Sequence, residues 1–266
     1  MLAYALQMAT EQRRPSGAPR VWVCVPTYNE VEQVEALALA VLDSLGAAEI
    51  DGHVLVIDDS SPDGTGAVAD GLAGREPRVT VLHRPAKQGI GPAYIAGFQQ
   101  ALELGADLVV SMDCDFSHDP AALPGLIAAA READLVLGSR YVHGGSIVDW
   151  SRLRRIVSRA GSGFARRALD LQIADLTGGF KCYRREVLEA VGLDRIRTTG
   201  YGFQIETTYL AEQAGFAIVE IPITFRDRRV GSSKMSIAIA GEAAVAVLGL
   251  RSRVRARERL ALRSVR

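Results

Sequence analysis

The chain has 266 residues, of which 48% are hydrophobic and 23% charged, and its 31 basic residues balance 31 acidic ones. This composition is typical of a globular protein, and the length suffices for one large α/β domain with appendages. The neutral balance gives no reason to expect nucleic acid as a partner. No run reaches the roughly eighteen apolar residues of a membrane span. Three cysteines without paired spacing, at positions 24, 114 and 182, favour reduced thiols and a cytosolic setting.

Short apolar runs alternate with helical patterns from residue 21 to about residue 140. Strands are predicted at residues 21–25, 53–57, 79–82, 108–112 and 135–137, and helices at about 31–45, 92–104 and 121–132. Because helices lie between consecutive strands, right-handed crossovers predict a parallel sheet with helices on both faces. Residues 1–20 are predicted to form a flexible arm, residues 21–235 the main domain, and residues 236–266 an apolar helix with a basic tail.

Acidic and turn-forming residues follow two of these predicted strands. Residues 58–65 read Asp-Asp-Ser-Ser-Pro-Asp-Gly-Thr, and Asp113 and Asp115 close the strand at 108–112. In open α/β sheets, ligands bind in the crevice outside the carboxyl ends of the strands. Two neighbouring carboxylates suit Mg²⁺ or Mn²⁺, which complete their coordination with water and substrate phosphates. We interpret this edge as a site for a nucleotide-sugar diphosphate; the alternative is a turn that carries surface acids.

Two other nucleotide-binding classes are disfavoured by the same region. A dinucleotide-binding domain should show G-x-G-x-x-G directly after its first strand, but residues 26–30 read Pro-Thr-Tyr-Asn-Glu, and the first glycine after this strand is Gly46. The P-loop pattern G-x-x-x-x-G-K-[ST] does not occur in the chain.

The pattern changes after residue 143. A basic helix is predicted from about residue 150 to residue 169, with Leu153, Ile156, Val157, Phe164 and Ala168 near one face. Such a helix is typical of a membrane interface, and a solvated helix packed on the sheet is equally open. Residues 175–180 form a glycine-bearing turn, and residues 217–225 a strand in which proline predicts an edge position.

The last thirty residues combine an apolar stretch with seven arginines. As a helix, residues 236–250 would rise about 22 Å, less than the roughly 30 Å of bilayer hydrocarbon, so this stretch cannot span a membrane alone. It is predicted to lie in the membrane interface, with arginines from residues 251–266 on anionic head groups, or to pack on the core. The short stretch also leads to the hypothesis of a membrane-anchoring partner protein.

Six motifs occur in order, at residues 25–30, 58–65, 113–115, 138–141, 175–180 and 227–234. Together they resemble the dolichol-phosphate (polyprenol-phosphate) mannose synthases, a branch of the inverting family 2 glycosyltransferases. The resemblance covers residues 21–235. It implies the GT-A fold, a Rossmann-like α/β sheet with helices on both faces, followed by C-terminal amphipathic helices at the membrane interface.

The resemblance also implies roles for individual residues. The nucleotide is expected to contact Pro26, Tyr28, Glu30, Ile57, Asp58, Lys87 and Asp113. The metal is expected on Asp113, Asp115 and Ser117. The family often has glutamine or serine at the last position, and serine is the weaker ligand, which leaves direct ligation by Ser117 open. The catalytic set comprises Asp115, Arg140, Arg228 and Lys234, and the acceptor phosphate is expected on Arg154, Ser158 and Arg159. The expected phosphate-binding cations of donor and acceptor are Arg140, Arg154, Arg228 and Lys234. Cys114 replaces the usual alanine between the two acids, a change expected to be silent.

The implied activity is transfer of mannose from GDP-mannose to a polyprenyl monophosphate, with inversion and with Mg²⁺ or Mn²⁺. The protein is expected on the cytosolic face of a membrane, as a peripheral protein. Three alternatives stay open: an enzyme of the same fold that uses a UDP-sugar such as UDP-glucose or a UDP-hexosamine, a nucleotide-sugar-binding protein without turnover, and a binder of anionic lipid or nucleic acid through the arginine tail.

Overall fold

The structure, a computed structural model, describes residues 18–198, 200–227 and 247–252. Its strands are β1 (Val21–Thr27), β2 (Gly52–Asp58), β3 (Val79–His83), β4 (Leu108–Ser111), β5 (Leu135–Ser139), β6 (Ser146–Ile147), β7 (Lys181–Arg184), β8 (Ile218–Pro222) and β9 (Thr224–Phe225). Its helices are α1 (Val34–Ala47), α2 (Thr65–Ala73), α3 (Ile90–Glu103), α4 (Leu123–Ala129), α5 (Arg152–Leu169), α6 (Arg185–Val191) and α7 (Gly200–Gln213).

Seven strands form one sheet with the order β3-β2-β1-β4-β7-β5-β8. β3, β2, β1 and β4 pair parallel to one another, and β5 pairs parallel to β8, which confirms a mostly parallel sheet. β7 runs antiparallel between β4 and β5, a strand that the sequence pattern did not predict. The predicted strand at 217–225 divides at Ile223: β8 lies at the sheet edge, as its proline predicts, and β9 pairs with β6 in a second, two-stranded sheet.

Helices cover both faces of the large sheet, so alternate strand residues enter two separate cores. On one face, Val23 and Val54 pack with α1, α2 and α4, while on the other face Cys24 and Leu55 pack with α3 and α7. This alternation follows from the period of two in a β-strand. The three cysteines are free and buried, which agrees with the predicted reduced thiols.

Helix α5 contacts the loop after β5 and the loop before β7, through hydrogen bonds of Ser158 with Tyr141 and of Ser162 with Thr177. Ser151 caps its N-terminus by accepting a hydrogen bond from the Arg154 amide at 3.3 Å, and the helix ends at Asp170, which has a left-handed backbone. Its buried face, Ser158, Ser162, Ala165 and Leu169, follows the helical repeat.

The described part of the C-terminal region, residues 247–252, is helical and packs beside the end of α5. Val247 and Leu250 are buried in the same core cluster as Ala165, and the Arg251 guanidinium donates to the Ala168 carbonyl at 3.2 Å. The rest of the apolar helix predicted at 236–250 lies outside the described residues. Within the described ranges, no helix has both the length and the apolar composition that crossing a bilayer requires.

Candidate active site

The candidate site lies at the carboxyl ends of β1, β2 and β4. β1 pairs with β2 on one side and with β4 on the other, so the order of strands reverses at β1 and opens a crevice there. Asn29, Ser60 and Phe116, which follow these three strands, have positive φ angles of 59°, 56° and 56°. Left-handed backbone at non-glycine residues is costly and concentrates at functional sites. The fold therefore brings together the three loops that the sequence singled out.

The acidic pair of the loop after β4 is held by several hydrogen bonds. Tyr94 donates its hydroxyl to one oxygen of Asp113 at 3.1 Å, and the Asp113 amide donates to Nδ1 of His118 at 3.3 Å. Asp115 is buried and accepts a hydrogen bond from the Ser117 amide at 2.9 Å. Both carboxylates are thus fixed in place by the protein.

Tyr94 is a site residue that sequence reasoning missed. Its ring is fully buried on α3 and stacks on Phe203 of α7, with the ring centroids 5.7 Å apart. Burial, reinforced by the negative charge of Asp113, raises the pKa of Tyr94 well above its ordinary value, so the phenol stays protonated and donates to the carboxylate. In the sequence Tyr94 is only one more aromatic residue on the buried face of a helix.

The residues at this point fit a hard divalent cation. Among the described residues, no group of three or more His, Cys, Asp or Glu side chains has a metal-binding arrangement. Asp113 and Asp115 offer two carboxylates, and the buried hydroxyl of Ser117 has no hydrogen-bond partner in the described ranges. This donor set suits Mg²⁺ or Mn²⁺ that completes its coordination with diphosphate oxygens and water.

The predicted nucleotide-binding residues of β1 and β3 meet across the crevice. The ammonium group of Lys87 lies over the ring of Tyr28, 3.5 Å from its centroid, which is a cation–π contact. Pro26, Tyr28 and Glu30 are all half-buried, so they are accessible from the crevice. The geometry therefore allows a common binding surface for these four residues, and their contact with a nucleotide stays a prediction.

Asp58 is more deeply embedded than a free ligand would be. Its carboxylate is 3% exposed and accepts hydrogen bonds from the Ser61 hydroxyl at 2.5 Å and from the Ser61 amide at 3.2 Å. The hydroxyl of Thr27 lies 3.4 Å from the same carboxylate. Recognition of a base or ribose by Asp58 stays a prediction, and its observed contacts organise the loop after β2.

The side chain of Ile57 does not face the crevice. It is fully buried in the core, where it contacts the backbone of Gly97 so closely that a Cβ at position 97 would overlap with it. The side chain of Ile57 therefore lies in the core, and the nucleotide contact of this residue stays a prediction. The reason is strand alternation: Asp58 points to the site, and its neighbour must point into the core.

Three polar residues of the motif at 58–65 accept hydrogen bonds from backbone amides of the loop after β1. Ser61 accepts from the Asn29 amide at 3.1 Å, Thr65 accepts from the Glu30 amide at 2.9 Å, and Asp63 accepts from the Val31 amide at 3.2 Å. The slight burial of Asp63 would raise its pKa, but hydrogen bonds from Thr65 outweigh it and lower the pKa below its usual value. These residues shape the crevice rather than bind a ligand.

Arg140, predicted as a phosphate-binding cation, forms a buried pair with Asp175. Its Nε and one terminal nitrogen donate to the two oxygens of Asp175 at 2.6 and 2.7 Å, and the same terminal nitrogen donates to Thr177 at 2.9 Å. Because β7 folds back between β4 and β5, it brings the loop at 175–180 under Arg140, which the sequence could not reveal. The geometry assigns Arg140 a structural role in holding this loop, and its contact with a substrate phosphate stays a prediction.

The predicted acceptor residues lie on α5 and differ in exposure. The Arg154 guanidinium lies 4.0 Å from the centroid of the Trp150 ring and donates to Asp227 at 2.8 Å. Its Nε is buried and has no hydrogen-bond partner within the part of the chain that the structure describes. Ser158 is buried and accepts from the Tyr141 hydroxyl at 2.6 Å, whereas Arg159 is exposed. Arg154 is thus the best placed of the three to meet an anion.

A short segment after β8 connects the acidic loop to α5. Phe225 forms a β-bridge with His118, the Arg226 amide donates to the Ser117 carbonyl at 3.1 Å, and Asp227 pairs with Arg154. The segment therefore connects the loop that carries Asp113 and Asp115 to helix α5. Arg228 and Lys234, which continue it, lie outside the described residues, so their predicted roles are not tested by the structure.

The fold is that of the GT-A glycosyltransferases. A crystal structure of glucosyl-3-phosphoglycerate synthase from Mycobacterium tuberculosis, in complex with Mg²⁺ and uridine diphosphate, has a TM-score of 0.63 at 19% identity and covers 93% of this chain and 83% of its own. Residues 22–192 match the model of glycosyl transferase family 2. The chain belongs to glycosyltransferase family 2, as its motifs predict.

Curated relatives match most of the chain. One is an undecaprenyl-phosphate mannosyltransferase from Micrococcus luteus, 49% identical over 228 residues, which are 86% of this chain and 92% of the relative. Another is a polyprenol monophosphomannose synthase from Mycolicibacterium smegmatis, 45% identical over 239 residues, which are 88% of this chain and 89% of the relative. The predicted resemblance to the polyprenol-phosphate mannose synthases is confirmed.

Proposed function

We propose that this chain transfers mannose from GDP-mannose to a polyprenyl monophosphate at a membrane surface, with inversion at the anomeric carbon. The observation that carries the proposal is that helix α5 contributes to the site with one face and exposes large apolar side chains on its other face. Its inner face places Arg154 beside the acidic loop through Asp227. Its outer face exposes Leu153 and Ile156, which are 72% and 64% accessible. The names of the two curated relatives support transfer of mannose to a polyprenyl phosphate.

The acceptor phosphate needs no general base to become a nucleophile. A phosphate monoester has a second pKa near 6, so at neutral pH it is already mostly a dianion and a competent nucleophile. Attack by one of its oxygens on the sugar carbon, in line with the departing diphosphate, gives a β-linked product from an α-linked donor. The carbon passes through an oxocarbenium-like state in which bond breaking leads.

Repulsion between the two phosphate groups is the main electrostatic obstacle. Two like unit charges 4 Å apart repel by about 4 kcal/mol in the effective dielectric of a protein surface. On α5, Arg154 is preorganised by Trp150 and Asp227, and the exposed Arg159 lies one turn further along. We assign these two arginines to the acceptor phosphate, together with Ser158. Lys87, which lies over the ring of Tyr28, is assigned to the nucleotide.

Asp113 and Asp115, with Ser117, are the residues that would hold Mg²⁺ or Mn²⁺. When bound, such an ion neutralises charge on the diphosphate and stabilises it as a leaving group. The role of this chain is to hold the two carboxylates rigidly, through Tyr94 for Asp113 and through the Ser117 amide for Asp115. Related crystal structures of the M. tuberculosis synthase hold Mg²⁺ or Mn²⁺ with uridine diphosphate.

The function is tested by transfer of radiolabelled sugar to a short polyprenyl phosphate, with GDP-mannose and UDP-glucose offered side by side. We expect an organic-extractable product from GDP-mannose only, formed with Mg²⁺ or Mn²⁺ and lost with chelator. The UDP-sugar alternative is kept because the similar crystal structure holds uridine diphosphate. Product from UDP-glucose alone would overturn the mannose assignment, and absence of product from both donors would contradict a transferase acting on this acceptor.

The outer face of α5 predicts binding to anionic membranes. Four large apolar side chains are exposed along it (Leu153, Ile156, Val157 and Phe164), and exposed arginines flank them (Arg152, Arg155, Arg159, Arg166 and Arg167). This is the layout of an interfacial amphipathic helix, in which apolar side chains enter the head-group boundary and arginines contact lipid phosphates. Peripheral association at the cytosolic face, and a membrane-anchoring partner protein, stay proposals.

Replacing Leu153 and Ile156 together by asparagine is expected to weaken binding to phosphatidylglycerol vesicles by roughly 100-fold. Two aliphatic side chains that become buried in the membrane contribute about 3 kcal/mol to binding. Vesicle sedimentation measures this effect. The matched control is Leu39→Asn, which changes an exposed leucine on α1 and should leave vesicle binding unchanged. Equal binding of the double variant and the wild type would show that α5 does not touch the membrane.

A further inference from the structure

Gln204 on α7 is a buried amide whose oxygen has no hydrogen-bond partner among the described residues. The side chain is 4% exposed. A buried amide oxygen without a donor costs free energy, so its retention calls for a reason. The backbone at this position is firmly held, because the Lys181 ammonium donates to the Gln204 carbonyl at 2.6 Å and to the Thr208 hydroxyl at 2.8 Å. The Lys181 ammonium therefore fixes the position of the Gln204 backbone on α7.

The side-chain amide of Gln204 lies close to the acidic loop, with only a glycine between them. A Cβ built on Gly179 would stand 3.5 Å from Nε2 of Gln204 and 3.7 Å from both carboxylate oxygens of Asp113. The neighbouring residue of α7, Phe203, stacks on Tyr94, which in turn donates to Asp113. One helix thus presents the amide of Gln204 and supports the position of the acid.

The chemistry of the amide selects the kind of group it would bind. A carboxamide donates and accepts hydrogen bonds and carries no charge, which matches a sugar hydroxyl, itself a donor and an acceptor. A phosphate offers acceptors only, and the charged groups suited to it, Arg154 and Lys87, belong to α5 and to the loop after β3. The space beside Gly179 is therefore complementary to the uncharged part of a nucleotide sugar.

We infer that the gap between Gln204, Gly179 and Asp113 receives the transferred sugar, with the Gln204 amide hydrogen-bonded to a ring hydroxyl. The inference rests on the proposed function and names a specificity residue for it. It also explains why residue 179 is glycine. A side chain at this position would occupy the space beside the Gln204 amide and the Asp113 carboxylate.

The test compares titration calorimetry of GDP-mannose and of GDP, each with Mg²⁺, for wild type and two variants. Gln204→Leu is expected to weaken GDP-mannose binding by roughly tenfold, the effect of one lost hydrogen bond and an unpaired hydroxyl. Binding of GDP should not change, because GDP has no sugar to be transferred. Gln213→Leu, at the exposed end of the same helix, is the matched control and should bind both ligands like the wild type.

The variant Gly179→Ala tests the same inference without changing the Gln204 side chain. The added methyl group would meet Gln204 and Asp113 at ordinary van der Waals distances, so the fold and its melting temperature should be kept. We expect this variant to weaken GDP-mannose binding by roughly tenfold or more and to leave GDP binding unchanged.

The outcomes separate this inference from the proposed function. Equal loss of both ligands in Gln204→Leu and Gly179→Ala, or no loss of either, overturns the sugar contact. If the wild type binds UDP-glucose rather than GDP-mannose, the same comparison with UDP-glucose and UDP decides the inference, while the mannose assignment fails. A wild type that binds neither nucleotide sugar overturns both proposals.

Discussion

Replacing Asp115 by asparagine is expected to lower the rate of mannose transfer by about a thousandfold without unfolding the protein. The substitution keeps the shape of the side chain, and its oxygen can still accept from the Ser117 amide at 2.9 Å. It removes one of the two negatively charged carboxylates that would coordinate a divalent cation. Loss of several kcal/mol of charge stabilisation on the leaving diphosphate corresponds to roughly three powers of ten in rate.

The control for this variant is an acid in the same loop. Asp119→Asn changes an exposed residue whose side chain caps a short 3₁₀ helix by accepting from the Ala121 amide at 3.0 Å, a bond that asparagine also makes. Its transfer rate should stay within about twofold of the wild type. If Asp115→Asn retained wild-type transfer while Asp119→Asn lost it, the assignment of the acidic pair would be wrong. Circular dichroism of both variants checks that the fold is unchanged.

Asp175→Asn is expected to destabilise the protein by about 3–5 kcal/mol, because it leaves the buried Arg140 guanidinium without a counter-charge. Asp175 is fully buried and accepts from the Arg140 amide at 3.0 Å as well as from its side chain. For a chain of this size, the loss corresponds to a fall in melting temperature of roughly 10 °C. Glu189→Gln, which breaks the exposed pair with Arg185, is the control and should cost less than about 1 kcal/mol.

The effect of Asp175→Asn should also depend on pH in a defined direction. Burial alone would raise the pKa of Asp175, but the charge and the hydrogen bonds of Arg140 outweigh it and lower the pKa below its ordinary value. The unfolded state therefore binds the proton more readily, and the stabilisation is fully present above the unfolded pKa of about 3.9. It is lost as pH falls through the lower, folded pKa. Chemical unfolding should show a gap between wild type and variant that is constant near pH 7 and narrows below about pH 4; a gap that widens in acid would contradict the pair.

Much of the first half of the fold is predictable from sequence because its strands are short apolar runs that end in turn residues. β1 to β5 lie within a few residues of their predicted positions. Helix α2 was missed because it contains Gly66 and Gly71, which disfavour helix in isolation. β7 was missed because it is four residues long and has charged residues at both ends, and its place between β4 and β5 depends on tertiary pairing alone.

The candidate site was predictable to the extent that its chemistry lies in strand-end loops. Asp113 and Asp115 could be singled out in this way, since parallel strands deliver their carboxyl ends to one edge. Tyr28 and Lys87 were implied only by the resemblance to the family. Tyr94 and Gln204 could not be singled out, because buried residues on helices carry the same sequence pattern whether they pack or bind. Asp175 and Arg140 are far apart in sequence, and only the antiparallel strand between β4 and β5 brings them together.

The most direct test of the central claim is an anomalous difference map from crystals grown with Mn²⁺ and GDP. A peak in contact with carboxylate oxygens of Asp113 and Asp115, with the GDP diphosphate on the same ion and its nucleoside beside Tyr28, is the predicted result. An ordered GDP whose Mn²⁺ peak lies away from both acids, or a nucleotide bound elsewhere on the chain, would contradict the claim that the loop after β4 is the centre of a nucleotide-sugar transferase.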